Sequence, residues 1–550
     1  MYITPSLILA VSAAYILVYA ETDTNIYFPD EYEDKMYKIS SSPLGISNTN
    51  NFADKNLYEQ YINRVISRGI ANLSLAINKA YQDTKFANNI VFAPLNIAGA
   101  LALILLGSNG NTFQELAEVL GLATGIDIEN NSERVHEELG RMILKIESTA
   151  GLVMGQQITL ASAIFVQNNF PIRKLYKETA ENLYRNEVLN VDFKSNPLKA
   201  LQLVNAWVSD RTFGKITDIL TEAPSPGTKV VVASAMYFKA KWEHPFLEGQ
   251  TARRPFFPNG RKTVTDIKVD MMANIGYFPY FKDVTLGCEI LGFPYQGNGS
   301  VMYIIMPFNS NAKKLKEFEE KLTTSDLEYL TEKTVPTNAL ILLPKMRIES
   351  TIDLKSVLSK LGVKSLFNPY EANLGLLSPG GNLTQIRHID SVLNPIAPIS
   401  GNPDEVLIFN RMGSTINCTN IFNSNNNTTM CEDTVNMRRS KQANIRPNKR
   451  VAFAQIDTID SIRNLINNQN SDNNQNPGLS VDKVIHKVFM DITETGTEAA
   501  AATAVTLFKS LNAISFRVDV PFIFFIRHEE TKTIMFWGSV EKPTPNFNNS

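Results

Sequence analysis

The stretch that decides the fold runs from Asp491 to Leu511 and reads DITETGTEAAAATAVTLFKSL. Its consecutive alanines favour a helix, but Gly496 precedes them and Thr503 and Val505 follow, and none of these three favours a helix interior. A segment with such divided preferences suits two structural states better than one.

As a strand, the same segment would present one uncharged face of mostly small side chains, because alternation sends successive side chains to opposite faces of a sheet. One face would hold Thr497, Ala499, Ala501, Thr503, Val505 and Leu507, and the other Glu498, Ala500, Ala502, Ala504, Thr506 and Phe508. The first set could enter between existing strands without burying a charge, while Glu498 stays in water.

Insertion of this segment would move its far end a long way. About fourteen residues at ~3.3 Å each span on the order of 45 Å, enough to carry an attached protein across the molecule. Each inserted residue would also add ladder hydrogen bonds and buried surface. The sequence therefore predicts a starting fold that stores free energy, which a cut in the segment releases.

Elsewhere in the chain, periodicity predicts helices first and long strands later. From Tyr58 to Tyr81 apolar residues recur at three- and four-residue steps, as on an amphipathic helix. Helical patterns continue at 95–106, 112–120 and 132–146, and β-rich segments follow at 158–166, 230–238, 288–294, 301–307 and 339–348. The predicted fold class is α+β, with helices around a large mixed sheet.

The composition changes sharply between Leu377 and Ser480, where Asn-rich and Asn/Gln-rich tracts flank a basic cluster at 438–450. These features predict a low-complexity, solvated insertion at 377–480 that interrupts a single domain at 56–545. The basic cluster could bind a polyanion or be cut by a processing protease, or it could simply keep the loop soluble.

The N-terminus has the pattern of a secreted protein. An apolar run from Leu7 to Val18 leads to Ala20, which predicts a signal peptide over residues 1–20 and a flexible extension over 21–55. No later stretch approaches the roughly 18 apolar residues of a membrane helix. We expect an extracellular protein without a membrane segment. Candidate glycosylation sites are Asn72, Asn130, Asn298, Asn382, Asn417, Asn426, Asn427 and Asn548.

The chain has only three cysteines, so a disulfide framework does not hold the main fold. Cys418 and Cys431 lie thirteen positions apart in a polar segment and are a candidate disulfide. Cys288 stands in an apolar run and is interpreted as a buried free thiol rather than a nucleophile.

Charge and motifs exclude several function classes. The formal net charge of −2 provides no global field for nucleic acid. A Gly-x-Ser-x-Gly elbow, a His-Glu-x-x-His helix and Cys/His metal spacings are missing from the sequence. A hydrolase is therefore disfavoured, and neither a cofactor nor a metal is predicted.

The 491–511 stretch resembles the hinge of inhibitory serpins, and the similarity extends over most of residues 58–545 outside the insertion. The blocks that carry it are Phe92–Ile97, Asn205–Ile216, Ala235–Trp242, Leu343–Lys345, Leu354–Gly362, Ile485–Lys487 and Pro521–Arg527 with Phe536–Pro543. The resemblance implies a serpin fold: a large central sheet, two further sheets and an exposed reactive-centre loop at 494–515.

The resemblance also implies roles for individual residues. Trp242 would cover the top of the main sheet, and Asn205 and His486 would hydrogen-bond beneath its centre. Glu494 would pair with Lys345 at the hinge. The hinge residues are Glu494, Gly496, Thr497, Glu498, Ala499, Ala500, Ala501, Ala502 and Thr503.

Four positions depart from the family pattern and bear on how the sheet opens. Ala93 and Asn96 stand where serines are usual. Ser234 replaces a usual asparagine, and Ala240 replaces a usual glycine.

The resemblance implies a suicide-inhibition mechanism. The serine of a target protease attacks a bait carbonyl, and loop insertion then traps the covalent intermediate, so the chain itself is not an enzyme. The family spacing of 25 from Gly496 to Pro521 places the bait near Lys509–Ser510 or Ser510–Leu511. We favour Lys509–Ser510, because a lysine suits the specificity pocket of a trypsin-like protease. Ser510–Leu511 would suit an elastase-like enzyme, and Phe508–Lys509 a chymotrypsin-like one.

Other partners and roles stay open at this point. A non-inhibitory serpin that acts as a binding or carrier protein is the alternative function. Polyanion binding through the helix that carries Arg134, Arg141 and Lys145 would be weak, because glutamates interleave with these cations. We expect a monomer, similar in its loop to secreted insect serpins that restrain proteolytic cascades in clotting or innate immunity.

Overall fold

The computed structural model describes residues 52–82, 89–122, 128–152, 156–247, 249–297, 299–380, 405–409, 415–421, 428–432, 478–497 and 513–543. Its helices are α1 (Phe52–Gln82), α2 (Pro94–Gly107), α3 (Gly110–Val119), α4 (Ile128–Leu152), α5 (Lys174–Tyr184), α6 (Pro197–Arg211), α7 (Ala312–Lys321), α8 (Thr324–Glu332) and α9 (Lys355–Lys360). The four helices that periodicity predicts are α1 to α4, each longer than predicted. Helix α1 begins at Phe52, inside the predicted N-terminal extension.

The first ten strands are β1 (Asn89–Phe92), β2 (Gln157–Gln167), β3 (Glu187–Val191), β4 (Val230–Lys241), β5 (Ala252–Pro255), β6 (Lys268–Asp283), β7 (Cys288–Pro294), β8 (Ser300–Pro307), β9 (Val335–Pro344) and β10 (Met346–Asp353). The remaining strands are β11 (Glu405–Phe409), β12 (Thr415–Ile421), β13 (Thr428–Glu432), β14 (Val481–Ile492), β15 (Gly496–Thr497), β16 (Ile514–Arg517), β17 (Phe522–His528) and β18 (Thr533–Val540). The predicted β-rich segments all contain strands, which confirms the α+β class.

The central sheet has the order β10-β14-β15-β4-β2-β3. Its middle strands β14 and β4 run parallel and pair directly, whereas β2 lies antiparallel to β4. The short strand β15 lies between β14 and β4 at one end only, antiparallel to both. A second sheet has the order β1-β18-β17-β8-β7-β6-β9-β16, with β5 on β6.

Two apolar cores lie on opposite faces of the central sheet. The larger core includes helix α2, every residue of which is buried, as expected of a helix that is apolar all round. Helix α2 contacts β4 and β2 of the central sheet and β18 of the second sheet. The smaller core lies under helix α6 and includes Trp207, Tyr237 and Phe489.

The predicted insertion differs from the structure in two ways. Leu377 and Leu479 are buried in the larger apolar core, so the ends of the predicted interval belong to the main domain. Within the interval, β11, β12 and β13 form a three-stranded antiparallel sheet, which the low-complexity composition did not predict. The backbone register pairs Cys418 with Cys431 across β12 and β13, and their disulfide stays a prediction.

Among the described residues, none of the helices combines the length and apolar character needed to cross a bilayer.

Candidate functional site

The candidate site is the end of the central sheet where β14 and β4 separate. The two strands pair directly as far as Phe489 and Tyr237. Beyond that point Thr497 of β15 lies between them, opposite Ile492 on one side and Ala240 on the other. The hinge segment has therefore already entered the sheet by one short strand.

Trp242 covers this end of the sheet and ties it to the hinge. Its indole Nε1 donates to the carbonyl of Thr493 at 2.9 Å, and its backbone amide donates to the carbonyl of Thr495 at 3.1 Å. The indole stacks on the ring of Tyr295 with centroids 4.5 Å apart. With the side chain 1% exposed, Trp242 closes the sheet end as its predicted role requires.

Thr497 is the deepest described residue of the hinge. Its side chain is fully buried, and its hydroxyl lies 3.0 Å from the hydroxyl of Tyr295. Burial raises the pKa of Tyr295 far above its usual value, so the phenol stays neutral and can donate or accept in this pair. The burial of Thr497 agrees with the face that strand alternation assigns to it.

Gly496 occupies a position that only glycine can fill in this conformation. Its φ is +150°, and a Cβ at this residue would lie 2.2 Å from the carbonyl oxygen of Ala240. A side chain here would push the hinge out of the sheet. Ala240 itself, the departure from the usual glycine, is buried and accommodated.

Glu494 fixes the start of the hinge. Lys345 Nζ lies 2.9 Å from Glu494 Oε2, so the structure contains the ion pair that the resemblance implies. The Thr251 hydroxyl also donates to Glu494 Oε1 at 2.7 Å. Burial opposes ionisation, but the hydrogen bonds from Thr251 and Lys345 hold the pKa of Glu494 below its usual value. The hinge therefore starts from an ionised, anchored carboxylate.

His486 joins the middle of β14 to β4 and to the start of α2. Its Nε2 accepts from the backbone amide of Ala93 at 2.9 Å, so Nδ1 carries the proton and donates to the Ser234 hydroxyl at 3.0 Å. The ring is fully buried, and desolvation lowers its pKa to about 3. The imidazole is therefore neutral at physiological pH.

The unusual residues near His486 form a hydrogen-bonded set of their own. Ser234 supplies the acceptor for the imidazole, and the Ser162 hydroxyl donates to Asn96 Oδ1 at 3.2 Å. The Asn96 amide in turn donates to the carbonyl of Ala161 at 3.4 Å on β2. Short polar groups thus replace the usual ones without leaving the imidazole unpaired.

Lys487, which sequence reasoning did not single out, makes a second link on the opposite face of β14. Its Nζ lies 3.0 Å from Asp218 and 2.8 Å from Glu349, and the side chain is 6% exposed. Burial disfavours the charge, but the hydrogen bonds that Lys487 donates to Glu349 and Asp218 raise its pKa. A lysine between Ile485 and Phe489, which face the α6 core, is the signal that could have identified it.

Asn205 does not lie beside His486. It stands on α6, where its Oδ1 accepts from the amides of Ile219 and Leu220 at 2.9 Å and its amide donates to the Leu220 carbonyl. Asn205 thus makes hydrogen bonds, but its partners belong to the loop that follows its own helix and not to the strands of the sheet. Asn205 instead fixes that loop, which carries Asp218, over the sheet.

Several predicted site residues lie outside the described residues. They are Glu498, Ala499, Ala500, Ala501, Ala502, Thr503, Lys509, Ser510 and Leu511, together with Asn298, Asn382, Asn426, Asn427 and Asn548. Among the other sequons, Asn72 is exposed on α1 and accepts a hydrogen bond from the Thr324 hydroxyl. Asn130 lies on α4 and Asn417 on β12. Burial raises the pKa of Cys288 to about 12, so its thiol is not poised to act as a nucleophile.

Comparison with known proteins agrees with this geometry. The profile of the family described as Serpin (serine protease inhibitor) matches residues 68–392 and 455–543. Serine protease inhibitor 28Dc of Drosophila melanogaster is 28% identical over 88% of this chain and 81% of its own length. The leukocyte elastase inhibitor of Equus caballus is 28% identical over 86% of this chain and 98% of its own.

Solved structures show the same fold. Serpin48 of the insect Tenebrio molitor matches with a TM-score of 0.60 at 24% identity, covering 87% of this chain and 98% of its own. Uncleaved ovalbumin matches with a TM-score of 0.62 at 20% identity, and the match covers 87% of this chain and 100% of the ovalbumin chain. The region absent from the family profile, residues 393–454, falls within the predicted insertion.

Proposed function

Because this chain belongs to the serpin family, we propose that it inhibits a serine protease by trapping it as a covalent intermediate. Relatives named as a serine protease inhibitor and as a leukocyte elastase inhibitor support the general activity. The observation that carries the mechanism is β15, since Gly496 and Thr497 already occupy the position from which further residues can enter between β14 and β4.

The chemistry belongs to the target. Its serine attacks the carbonyl of Lys509, the Lys509–Ser510 peptide bond breaks, and Ser510 leaves as a new amino terminus. The freed hinge then extends β15 stepwise along β14 and β4, and each step exchanges one direct β14–β4 pairing for two new ladders. Trapping succeeds when this insertion is faster than hydrolysis of the ester by water.

We further propose a trypsin-like target in an extracellular proteolytic cascade. Lys509 offers the cation that a trypsin-like specificity pocket binds. The apolar N-terminal run before Ala20 and the eight sequons support secretion.

The test is incubation of the purified protein with trypsin, elastase and chymotrypsin in turn, read by denaturing gel and mass spectrometry. We expect an SDS-stable complex with trypsin and a released peptide that begins at Ser510. A peptide that begins at Leu511 would move the bait by one residue and favour an elastase-like target. Clean cleavage without complex by all three enzymes would support the non-inhibitory, carrier-type alternative instead.

A further inference from the structure

We propose that the outer face of strands β6, β9 and β16, with its basic border on β5 and the loop after it, docks an acidic surface of the target protease. The outer face of β6, β9 and β16 is called the β6 face below. It would extend the contact with the protease beyond the bait bond. The inference rests on the proposed function, and it adds the chemistry by which one protease is chosen among several with the same cleavage preference.

The β6 face is apolar and open to solvent. Strand register places Ile275, Leu340 and Ser515 in one row across β6, β9 and β16. Leu340 is 44% exposed, and Tyr277, two residues beyond Ile275 on β6, is 68% exposed. The neighbours with the opposite orientation, Ile341 and Phe516, are fully buried. The exposed residues therefore form the solvent side of a sheet whose other side belongs to the core.

The border of the β6 face is strongly basic, although the whole chain has a net charge of −2. The segment from 251 to 268 holds five basic residues and one acidic residue. The basic residues, all exposed, are Arg253, Arg254, Arg261, Lys262 and Lys268. Arg517 at the end of β16 adds a further cation, and both it and Arg261 are ordered by Asp519. An apolar centre with tyrosine and an arginine-rich rim has the composition of a protein interface.

The position of the β6 face identifies the partner. Only residues 511–513 separate Ser510 from β16, so this connection spans at most about 15 Å. A protease domain of about 230 residues has a radius of gyration of ~17 Å and hence a diameter near 45 Å. A protease bound at Lys509 must therefore extend over nearby surface, and β16 ties the β6 face directly to the bait.

The basic segment also contacts both ends of the loop. At the near end, the Thr251 hydroxyl donates to Glu494 in the hinge. At the far end, Arg261 donates to the backbone carbonyl of Arg517 at 2.8 Å and to Asp519 at 2.7 Å. A partner that binds this segment is thus held beside the loop throughout the encounter, which raises the association rate by electrostatic steering.

The experiment compares anionic and cationic trypsin, which share cleavage preference but differ in surface charge. Each isoform is used with its active-site serine replaced by alanine, so that docking is measured without acylation. Affinity is measured at low and high salt for the wild type and for Arg253→Glu/Arg254→Glu. We expect about tenfold weaker binding of anionic trypsin to this variant at low salt, with the difference lost at high salt and little change for cationic trypsin.

The matched control reverses two cations on α5, Lys174→Glu/Lys177→Glu, which keeps the same charge change away from the β6 face. Tyr277→Ala, at a position that is mostly exposed, should weaken the binding of both isoforms. Equal binding of anionic trypsin to wild type and Arg253→Glu/Arg254→Glu would overturn the proposal, as would equal loss in the α5 control. If the Arg253→Glu/Arg254→Glu variant lost binding to heparin but kept its binding to trypsin, the β6 face would be assigned to a polyanion. That result would also overturn the proposal.

Failure of the inference is separable from failure of the proposed function. Active trypsin with the Arg253→Glu/Arg254→Glu variant should still form the SDS-stable complex with unchanged stoichiometry, because hinge and bait are intact. If the variant formed the covalent complex and docked as tightly as the wild type, only the role of the β6 face would be rejected. If the wild type docked as expected but formed no covalent complex, only the trapping mechanism would be rejected.

Discussion

The two ends of the β14–β4 pair differ in what lies between and around the strands. At the hinge end, β15 already separates them, and the surrounding contacts are to Trp242, Tyr295 and Glu494. In the middle, the strands pair directly, and consecutive residues of β14 link them to both neighbouring layers. His486 faces the α2 core, and Lys487 faces the loop after α6.

This difference shows where the barrier to insertion lies. The hinge end needs no further opening, because a fully buried Thr497 already has two strand neighbours there. Advance beyond it must separate Phe489 from Tyr237 and then the pairs on either side of His486. The pairings in the middle of β14 and β4 therefore oppose insertion. The free energy that insertion releases is gained as the inserted strand grows from the hinge end toward that middle.

The largest expected effect comes from Thr497→Arg. An arginine cannot occupy the fully buried position beside Tyr295 without a partner for its charge, so we expect β15 to leave the sheet and later insertion to lack the strand that it extends. We expect covalent complex with trypsin to fall by at least about tenfold while cleavage continues, since ~1.4 kcal/mol is already a factor of ten and the burial cost is larger. The gel assay measures both products.

The control is Thr497→Val, which keeps the shape and loses only the hydroxyl contact to Tyr295. It should retain most of the trapping activity. Undiminished complex from Thr497→Arg would contradict the insertion mechanism itself.

The next largest effect should follow from His486→Ala in the middle of the pair. It leaves the Ala93 amide and the Ser234 hydroxyl buried without the imidazole and opens a cavity, so we expect a loss of about 3–5 kcal/mol in the free energy of unfolding. Urea unfolding followed by circular dichroism measures it. Ser234→Ala, which removes only one of the two partners, should lose no more than about a third as much, or ~1 kcal/mol.

A smaller effect is expected from Gly496→Val at the hinge end. The new side chain would meet the Ala240 carbonyl, and the backbone would be held at an unfavourable φ, which together cost about 1–3 kcal/mol unless β15 leaves the sheet. Expulsion of β15 would expose Trp242, so its fluorescence should shift to the red. An unshifted emission spectrum together with wild-type stability would show that β15 contributes nothing to the native state.

The sequence predicted the helices and strands more successfully than the contacts between side chains. The helices and strands follow from periodicity, yet the segment predicted as one strand at 339–348 is two, because Lys345 turns the chain from the second sheet into the central one. Its amide donates to the Asp270 carbonyl at that break. Thr497 could be assigned to the buried face by alternation alone.

Contacts between distant parts of the chain were harder to predict. Asn205 has its partners in its own loop, and Lys487 has Asp218 and Glu349 far away in sequence, so neither arrangement could be deduced from spacing. The strands β11 to β13 were missed because the Asn-rich composition around them masks short alternating segments. Only the three-dimensional structure distinguishes these residues from polar residues that are simply exposed to solvent.

The pH dependence of stability should distinguish the contribution of His486, in the middle of the β14–β4 pair, from that of the rest of the protein. The folded-state pKa of His486 is lowered from 6.5 to about 3, so its contribution to stability is complete above pH 6.5 and lost as pH falls toward about 3. We expect the stability difference between wild type and His486→Gln to shrink steadily over that range, as measured by thermal midpoints. Other buried groups titrate in both proteins and cancel in the difference. A constant difference from pH 7 to pH 4 would mean that the imidazole is not neutral in the fold.

The smallest effect on stability should come from Lys487→Met. This variant also tests most directly whether contacts on both faces of β14 oppose insertion. Its partners Asp218 and Glu349 are about half exposed, at 48% and 54%, so water screens the ion pairs, and methionine preserves the packing of the lysine stem. We expect a loss of at most about 1 kcal/mol in stability. The matched control is Lys483→Met, whose contact to Glu222 is longer, at 3.7 Å, and more exposed.

The informative measurement for Lys487→Met is the rate at which a synthetic peptide of residues 497–510 enters the sheet. If the link to the α6 loop resists opening, insertion should be about fivefold faster than in wild type, which corresponds to ~1 kcal/mol, while Lys483→Met stays unchanged. If only His486→Ala accelerates insertion, the barrier lies on the α2 face alone. In that case the α6 loop would move aside freely, and Lys487 would serve the native state without controlling its conversion.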